Sequence, residues 1–318
     1  QQLTCLLDQA GVPVSAVLGL GGRDLSEAVG GQSALTALAM LDADPGTDHI
    51  VLISKPPHQA TADRVLAAAA AAGTPTSTVL LGPGRPDITA ATRDLLSVLG
   101  VSEPAWPTWL PDPLAVAGRG ALRGLYAGGT LADEAMIVAA GTLGEIRSNI
   151  PLHPGLGLPS QAIVHGVPRL TGLGHVIVDL GDDAFTLGRP HPMIDPTVRL
   201  ALLADQAADP DVSVLLMDVV LGHGAEADPA RRLAPALAAA IDTAAEDGRV
   251  LSVVVCLCGT AADPQHRETQ ATTLVHAGAE VFLSNAQAAT RAASIAVGSG
   301  GRDAATDPDV GVEPGDDR

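Results

Sequence analysis

Apolar residues along the 318-residue chain recur at two spacings. Short apolar runs at residues 14–20, 49–54, 78–81, 122–126, 175–180, 212–217, 250–257 and 280–283 have the length and branched content of buried strands. Between them lie helical patterns at 1–9, 32–43, 59–72, 89–99, 130–140, 196–208, 229–245, 264–276 and 286–296. Leu35, Leu38 and Leu41 share one helical face, as do Leu233, Leu237 and Ile241. The punctuation agrees. Gly11, Gly73, Gly100 and Gly141 stand where helices stop, and Asp195, Asp228 and Asp263, each followed by proline, stand where helices start. Strands alternating with helices predict an α/β protein with parallel sheets and right-handed crossovers.

The pattern runs twice. VLGLG at 17–21 corresponds to IVDLG at 177–181, and Asp44-Pro45 ahead of one strand corresponds to Asp209-Pro210 ahead of another. Such self-similarity predicts two α/β domains in tandem, residues 1–101 and 119–297, with equivalent loops facing each other across a pseudo-symmetric interface. Residues 102–118 carry Pro104, Pro107, Pro111 and Pro113 among Trp106 and Trp109, and read as the linker because proline continues neither a helix nor a central strand. Residues 143–173 are irregular and long enough to be a functional loop. Residues 298–318 are glycine-rich and acidic with almost nothing to bury, and are expected to be a disordered tail. The chain opens at Gln1 in mid-helix, so the first strand of the first domain is expected upstream.

Composition narrows the partners. A hydrophobic content of 47% supports sizeable cores, and a net charge of −18 with 18 basic residues argues against nucleic acid or an anionic membrane. Small anionic substrates remain open through local backbone amides. No apolar window is long enough to span a bilayer. Cys5, Cys256 and Cys258 are too few for a disulfide framework and read as buried structural thiols, which with no signal peptide fits a cytoplasmic protein.

Candidate chemistry concentrates after strands. Gly128-Gly129-Thr130 follows the 122–126 strand and opens a helix, so its amides and the helix dipole suit phosphate or another anion, or else it is a plain glycine turn. The stretch 179–195, DLGDDAFTLGRPHPMID, is the most polar post-strand loop. In it Asp182 and Asp183 hold a cation, orient a nucleophile, or simply form a turn; Arg189 offers a fork to a carboxylate or phosphate, or is a solvated charge. His191, between two prolines, is conformationally restricted, as suits a positioned acid, base or nucleophile. His223 and His266 follow the next two strands and belong to the same sheet edge as His191. The glycines of GLGG at 19–22 are not followed by a helix start at dinucleotide-motif spacing.

These residues resemble a known group. LYAGGTLADEA at 125–135, GDDAFTLGRPHPMIDP at 181–196, DVVLGHGAEADPA at 218–230, GTAADPQ at 259–265 and SNAQAA at 284–289 are similar to the FdrA family of acyl-CoA synthetases in the succinyl-CoA ligase superfamily; VSAVLGLGGRDLS at 14–26 extends the likeness more loosely. The resemblance implies two flavodoxin-like, succinyl-CoA ligase-type domains. It also implies two helix starts facing each other, one at residues 128–131 and the other just before Gln1. The superfamily's phosphohistidine loop corresponds to GPGRPD at 82–87, which has no histidine. The resemblance therefore implies chemistry on a small acyl or carbamoyl group and phosphate, as in an oxamate carbamoyltransferase subunit of allantoin and purine catabolism. Its site would comprise His191, Asp183 and His223 for catalysis and Gly128, Gly129, Thr130 and Arg189 for the anion. Phosphate or carbamoyl phosphate is the ligand so implied; CoA and ATP with Mg²⁺ belong to the alternative, a nucleotide-dependent acyl-CoA synthetase. A third reading is a non-catalytic scaffold within a homo- or hetero-oligomer.

Overall fold

The computed structural model describes residues 1–164 and 166–299. In chain order the first half contains α1 (Gln2–Gln9), α2 (Gln32–Asp42), β1 (Ile50–Ser54), α3 (Gln59–Ala71), β2 (Thr76–Leu80) and α4 (Ile88–Val98). A short strand β3 (Thr108–Trp109) precedes β4 (Ala121–Tyr126) and α5 (Gly129–Leu143). Next come a small hairpin, β5 (Ile163–Val164) and β6 (Val167–Pro168), then β7 (Val176–Asp179), α6 (Asp183–Thr186) and α7 (Thr197–Ala207). The chain closes with β8 (Val212–Val220), α8 (Pro229–Glu246), β9 (Ser252–Cys258), α9 (Arg267–His276), β10 (Ala279–Phe282) and α10 (Asn285–Ala296).

Six strands form the main sheet in the order β3-β10-β9-β8-β4-β7, parallel throughout except for β3. The five parallel strands run 2-1-3-4-5, so the order reverses between β4 and β8, and loops leaving the carboxyl ends of those strands flank a crevice. Every residue of β8 and β9 is buried, as expected of central strands covered on both faces. One face packs on α5 and α10 together with α1 and α4; the other packs on α7, α8 and α9. Leu3, Leu6, Ile88 and Leu96 of the first half thus share a core with Tyr126, Met136 and Ala292 of the second. A smaller cluster, including Leu25, Leu38, Ile50, Leu52 and Val65, lies under the two-stranded β1–β2 sheet.

Most expected elements form, and the departures have local causes. Residues 14–20 are not a strand: among the described residues they have no ladder partner, and Val17 is 72% exposed. An extended segment without a neighbour leaves its amides to water. The helix expected to stop at Gly141 runs on to Leu143 and ends at Gly144, whose φ of 75° is one that glycine adopts without strain. The helix expected from residue 264 begins at Arg267, because the Asp263 carboxylate accepts from the Thr260 amide and hydroxyl instead of capping. Residues 102–118 do more than link: Thr108–Trp109 lies antiparallel on β10 at the sheet edge, where proline is tolerated. Of the tail expected at 298–318, residues from 300 onward lie outside the described residues.

Candidate functional site

The crevice at the β4/β8 reversal is built around Asp218, buried on β8. One carboxylate oxygen accepts from the Ala127 amide at 2.8 Å and the other from the Gly128 amide at 2.8 Å, which fixes the turn between β4 and α5. Arg199, reaching over from α7, donates to the same carboxylate at 3.0 Å and to the Asp218 carbonyl. Among the described residues Arg199 Nε is buried without a partner, beside a cavity of ≈ 20 Å³ lined by Ala127, Met193 and Glu226, room for about one water. The Gly128 amide, expected to bind an external anion, is therefore already spent on an internal carboxylate.

Beyond this turn the start of α5 meets three charged side chains. A methyl group at Gly129 would lie 2.3 Å from Lys55 Nζ and 2.4 Å from Asp179 Oδ2, so glycine is what lets both approach the backbone here. Lys55 comes from the first half, at the carboxyl end of β1, and the Pro56-Pro57 pair behind it restricts its backbone to extended conformations. Its ammonium is 3.9 Å from Asp133 Oδ2. Asp133, in α5, and Asp179, ending β7, are both buried. Burial pushes the Asp133 carboxyl up to about 7 despite the Lys55 charge, and the Asp179 carboxyl up to about 6 against the opposing Gly181 amide and Lys55. Both titrate near neutrality. Asn149 pins the end of β7 by accepting from the Asp179 amide and donating to its carbonyl.

His191 completes the cluster. A methyl at Gly181 would lie 2.5 Å from His191 Nε2, 2.5 Å from the Ala127 carbonyl and 3.1 Å from Asp179 Oδ1, so imidazole, carboxylate and backbone converge on one point. Desolvation lowers the His191 pKa and favours the neutral ring. Its Nδ1 accepts from the Met193 amide at 3.3 Å, which assigns the ring proton to Nε2 and makes that nitrogen a donor into the site.

The other sequence candidates fall outside this convergence. Asp183 is solvated, its side chain 89% exposed, and pairs with the equally exposed Arg23 at 3.3 Å, so it lacks the enclosure that tunes a catalytic carboxylate. Asp182 caps α6 through the Ala184 amide. Arg189 is exposed and donates to the Gly166 carbonyl. His223 and His266 lie in the loops after β8 and β9, on the expected edge but exposed; His266 holds a left-handed φ of 59° just before α9. Helix α1 also starts at this edge, with the Gln2 side chain donating to the Leu283 carbonyl and Gln1 standing 4.0 Å from the space beside Gly222.

Lys55, Asp133, Asp179, Asn149 and Asp218 were not among the sequence candidates for chemistry. Lys55 had a signal: it is the chain's sole lysine, and it stands at a strand end before two prolines. The others depend on which strands are neighbours, which periodicity does not encode.

Comparison with known proteins agrees with this architecture. Residues 125–295, more than half of the chain, including Asp218 and the start of α5 but not Lys55, match the family described as CoA-ligase. The chain is also 36% identical over 299 residues to the uncharacterized protein YahF of Escherichia coli (strain K12), covering 87% of this chain and 56% of YahF. It thus spans little more than half the length of that relative. No helix among the described residues is long and apolar enough to cross a membrane. With its family match spanning the reversal of strand order and the start of α5, the chain belongs to the CoA-ligase family.

Proposed function

We propose that the chain is an FdrA-type subunit that moves a small acyl or carbamoyl group between a carrier and phosphate. The observation that carries this reading is the cluster of Lys55, Asp133 and Asp179 at the start of α5, with His191 beside Gly181 next to Asp179, in a chain whose residues 125–295 match the CoA-ligase family. In that reading a phosphate oxygen attacks the carbonyl carbon and the bond to the leaving group breaks. His191 Nε2–H and the free amides of α5 stabilise the developing oxyanion, and a protonated Asp179 or Asp133 gives its proton to the leaving group. An oxamate carbamoyltransferase is the specific activity so proposed. The described residues here supply one ammonium beside two buried carboxylates, and no step is assigned to CoA or ATP.

The test is formation of carbamoyl phosphate from oxalurate and phosphate, by the chain alone and with its companion subunits. Turnover that falls at least about 100-fold in His191→Ala supports the reading. Undiminished turnover in that variant refutes the site. Acid-labile, ATP-dependent phosphorylation of the chain would instead support a nucleotide-dependent acyl-CoA synthetase.

A further inference from the structure

Helix α1 lies along β9 in a definite register. The Gln2 side chain donates to the Leu283 carbonyl at 2.8 Å, and its Oε1 accepts from the Cys256 thiol at 3.6 Å. Three residues further along α1, Cys5 meets Cys258, two residues further along β9, with the sulfurs 3.8 Å apart. Three residues of helix rise about 4.5 Å and two of strand about 6.6 Å, so these contacts are successive rungs between the same two elements. Residues two apart on a strand share a face, and all three cysteines are buried in the core that the two halves share. Cys5 and Cys258 nevertheless stand 253 positions apart in the chain. The Cys258 thiol hydrogen-bonds to the Cys5 sulfur, which lowers the Cys5 pKa and raises that of Cys258, so the thiolate belongs to Cys5. Cys5 is also the most accessible of the three, at 5% against 1% for Cys258 and 0% for Cys256.

We propose that Cys5 and Cys258 form a redox-sensitive thiol pair, which hydrogen peroxide converts to a disulfide that staples α1 of the first half to β9 of the second. A disulfide needs the sulfurs about 2.0 Å apart, so closing the present contact brings them together by about 1.8 Å. The Cys5 thiolate attacks one peroxide oxygen, the O–O bond breaks, and hydroxide leaves and takes up a proton as water; Cys5 is now a sulfenic acid. The Cys258 sulfur then attacks the Cys5 sulfur, the S–O bond breaks, and the departing hydroxide leaves as water with the Cys258 proton. In sum two thiols lose two hydrogens and one peroxide becomes two waters. Cys256 is the internal control: it lies on the same face of the same strand, but its contacts are Gln2 and the Leu283 carbonyl in place of the Cys5 sulfur.

The test treats the folded chain with submillimolar hydrogen peroxide and then alkylates the remaining thiols in denaturant. Mass spectrometry should find the loss of two hydrogens, a Cys5–Cys258 link and an alkylated Cys256; dithiothreitol should remove the link and restore all three thiols. The melting temperature of the oxidised chain should rise by roughly 4–10 °C, because the link closes a loop that includes most of the chain. Cys256→Ala should still cross-link, whereas Cys5→Ala and Cys258→Ala should not. These variants disturb a packed core, so the mapping on the wild-type chain decides the assignment by itself. A link from Cys5 to Cys256, or uptake of oxygen at Cys5 to the sulfinic acid with no link, would overturn the pairing. Thiols that resist peroxide in the folded chain and react only in denaturant would overturn the claim that the pair is open to oxidation. A link that leaves the melting temperature unchanged would overturn the staple.

Discussion

Replacing Asp218 by asparagine is the sharpest probe of the crevice. Asp218 is fully buried and holds the Ala127 and Gly128 amides and the Arg199 guanidinium at once. Every partner is a donor, so the amide nitrogen of asparagine must face one of them, and Arg199, whose side chain is 4% exposed, loses its counter-charge. Breaking a buried ion pair from one side typically costs about 3–5 kcal/mol. At about 2–4 °C per kcal/mol, the melting temperature should fall by roughly 6–20 °C. The double variant Asp218→Asn/Arg199→Met should recover part of that loss, because the stranded charge is gone and a side chain of similar length fills its place. Thermal denaturation of the four proteins of the cycle measures the coupling. A single-variant loss below about 2 °C, or a double variant as unstable as the sum of the singles, would refute the claim that this pair holds the turn.

Three further outcomes follow from the geometry. Gly181→Ala drives a methyl against the Ala127 carbonyl and His191, and should destabilise the chain by about 1–3 kcal/mol in denaturant titration; full stability would mean the convergence there is loose. Asp133 has a folded pKa of about 7, raised above its unfolded value of 3.8, so its contribution to stability is complete below about pH 4 and is lost as pH rises through 7. Asp133→Asn should therefore gain on the wild type between pH 5 and pH 8 by on the order of 2–4 kcal/mol, read from paired melting curves, and a pH-independent difference would contradict the burial argument. Asp183→Ala removes only an exposed pair with Arg23 and should leave both melting temperature and turnover unchanged; lost turnover would return Asp183 to the site.

The sequence was most informative where local rules act alone. Asp228 caps its helix as expected, and apolar periodicity locates all five parallel strands of the main sheet. It misled where a residue had to choose between partners. Asp263 carries the signature of a cap yet bonds Thr260, and residues 14–20 have a strand's composition without a strand's neighbour. The polar loop 181–195 contributes His191 alone to the convergence, because α6 turns Asp183 and Arg189 outward. Lys55 escaped notice for the converse reason. Its importance lies in reaching from β1 to α5, a contact set by the packing of the halves rather than by spacing along the chain.

That packing also bears on whether the two halves are modules. The amide that opens α4 donates to Glu134 of α5 at 2.6 Å, and Glu134 in turn accepts from Asn285, whose carbonyl oxygen takes the Tyr126 hydroxyl. Burial raises the Glu134 carboxyl to about 7, so this chain of bonds is enclosed from end to end. A helix of the first half is thus begun by a residue written into the second. Severing the chain near residue 110 would strip α4 of that partner and expose the leucines of α1 to water, so the two fragments should associate through those apolar faces. The likeness of residues 17–21 to 177–181 does not mark where the folded chain comes apart.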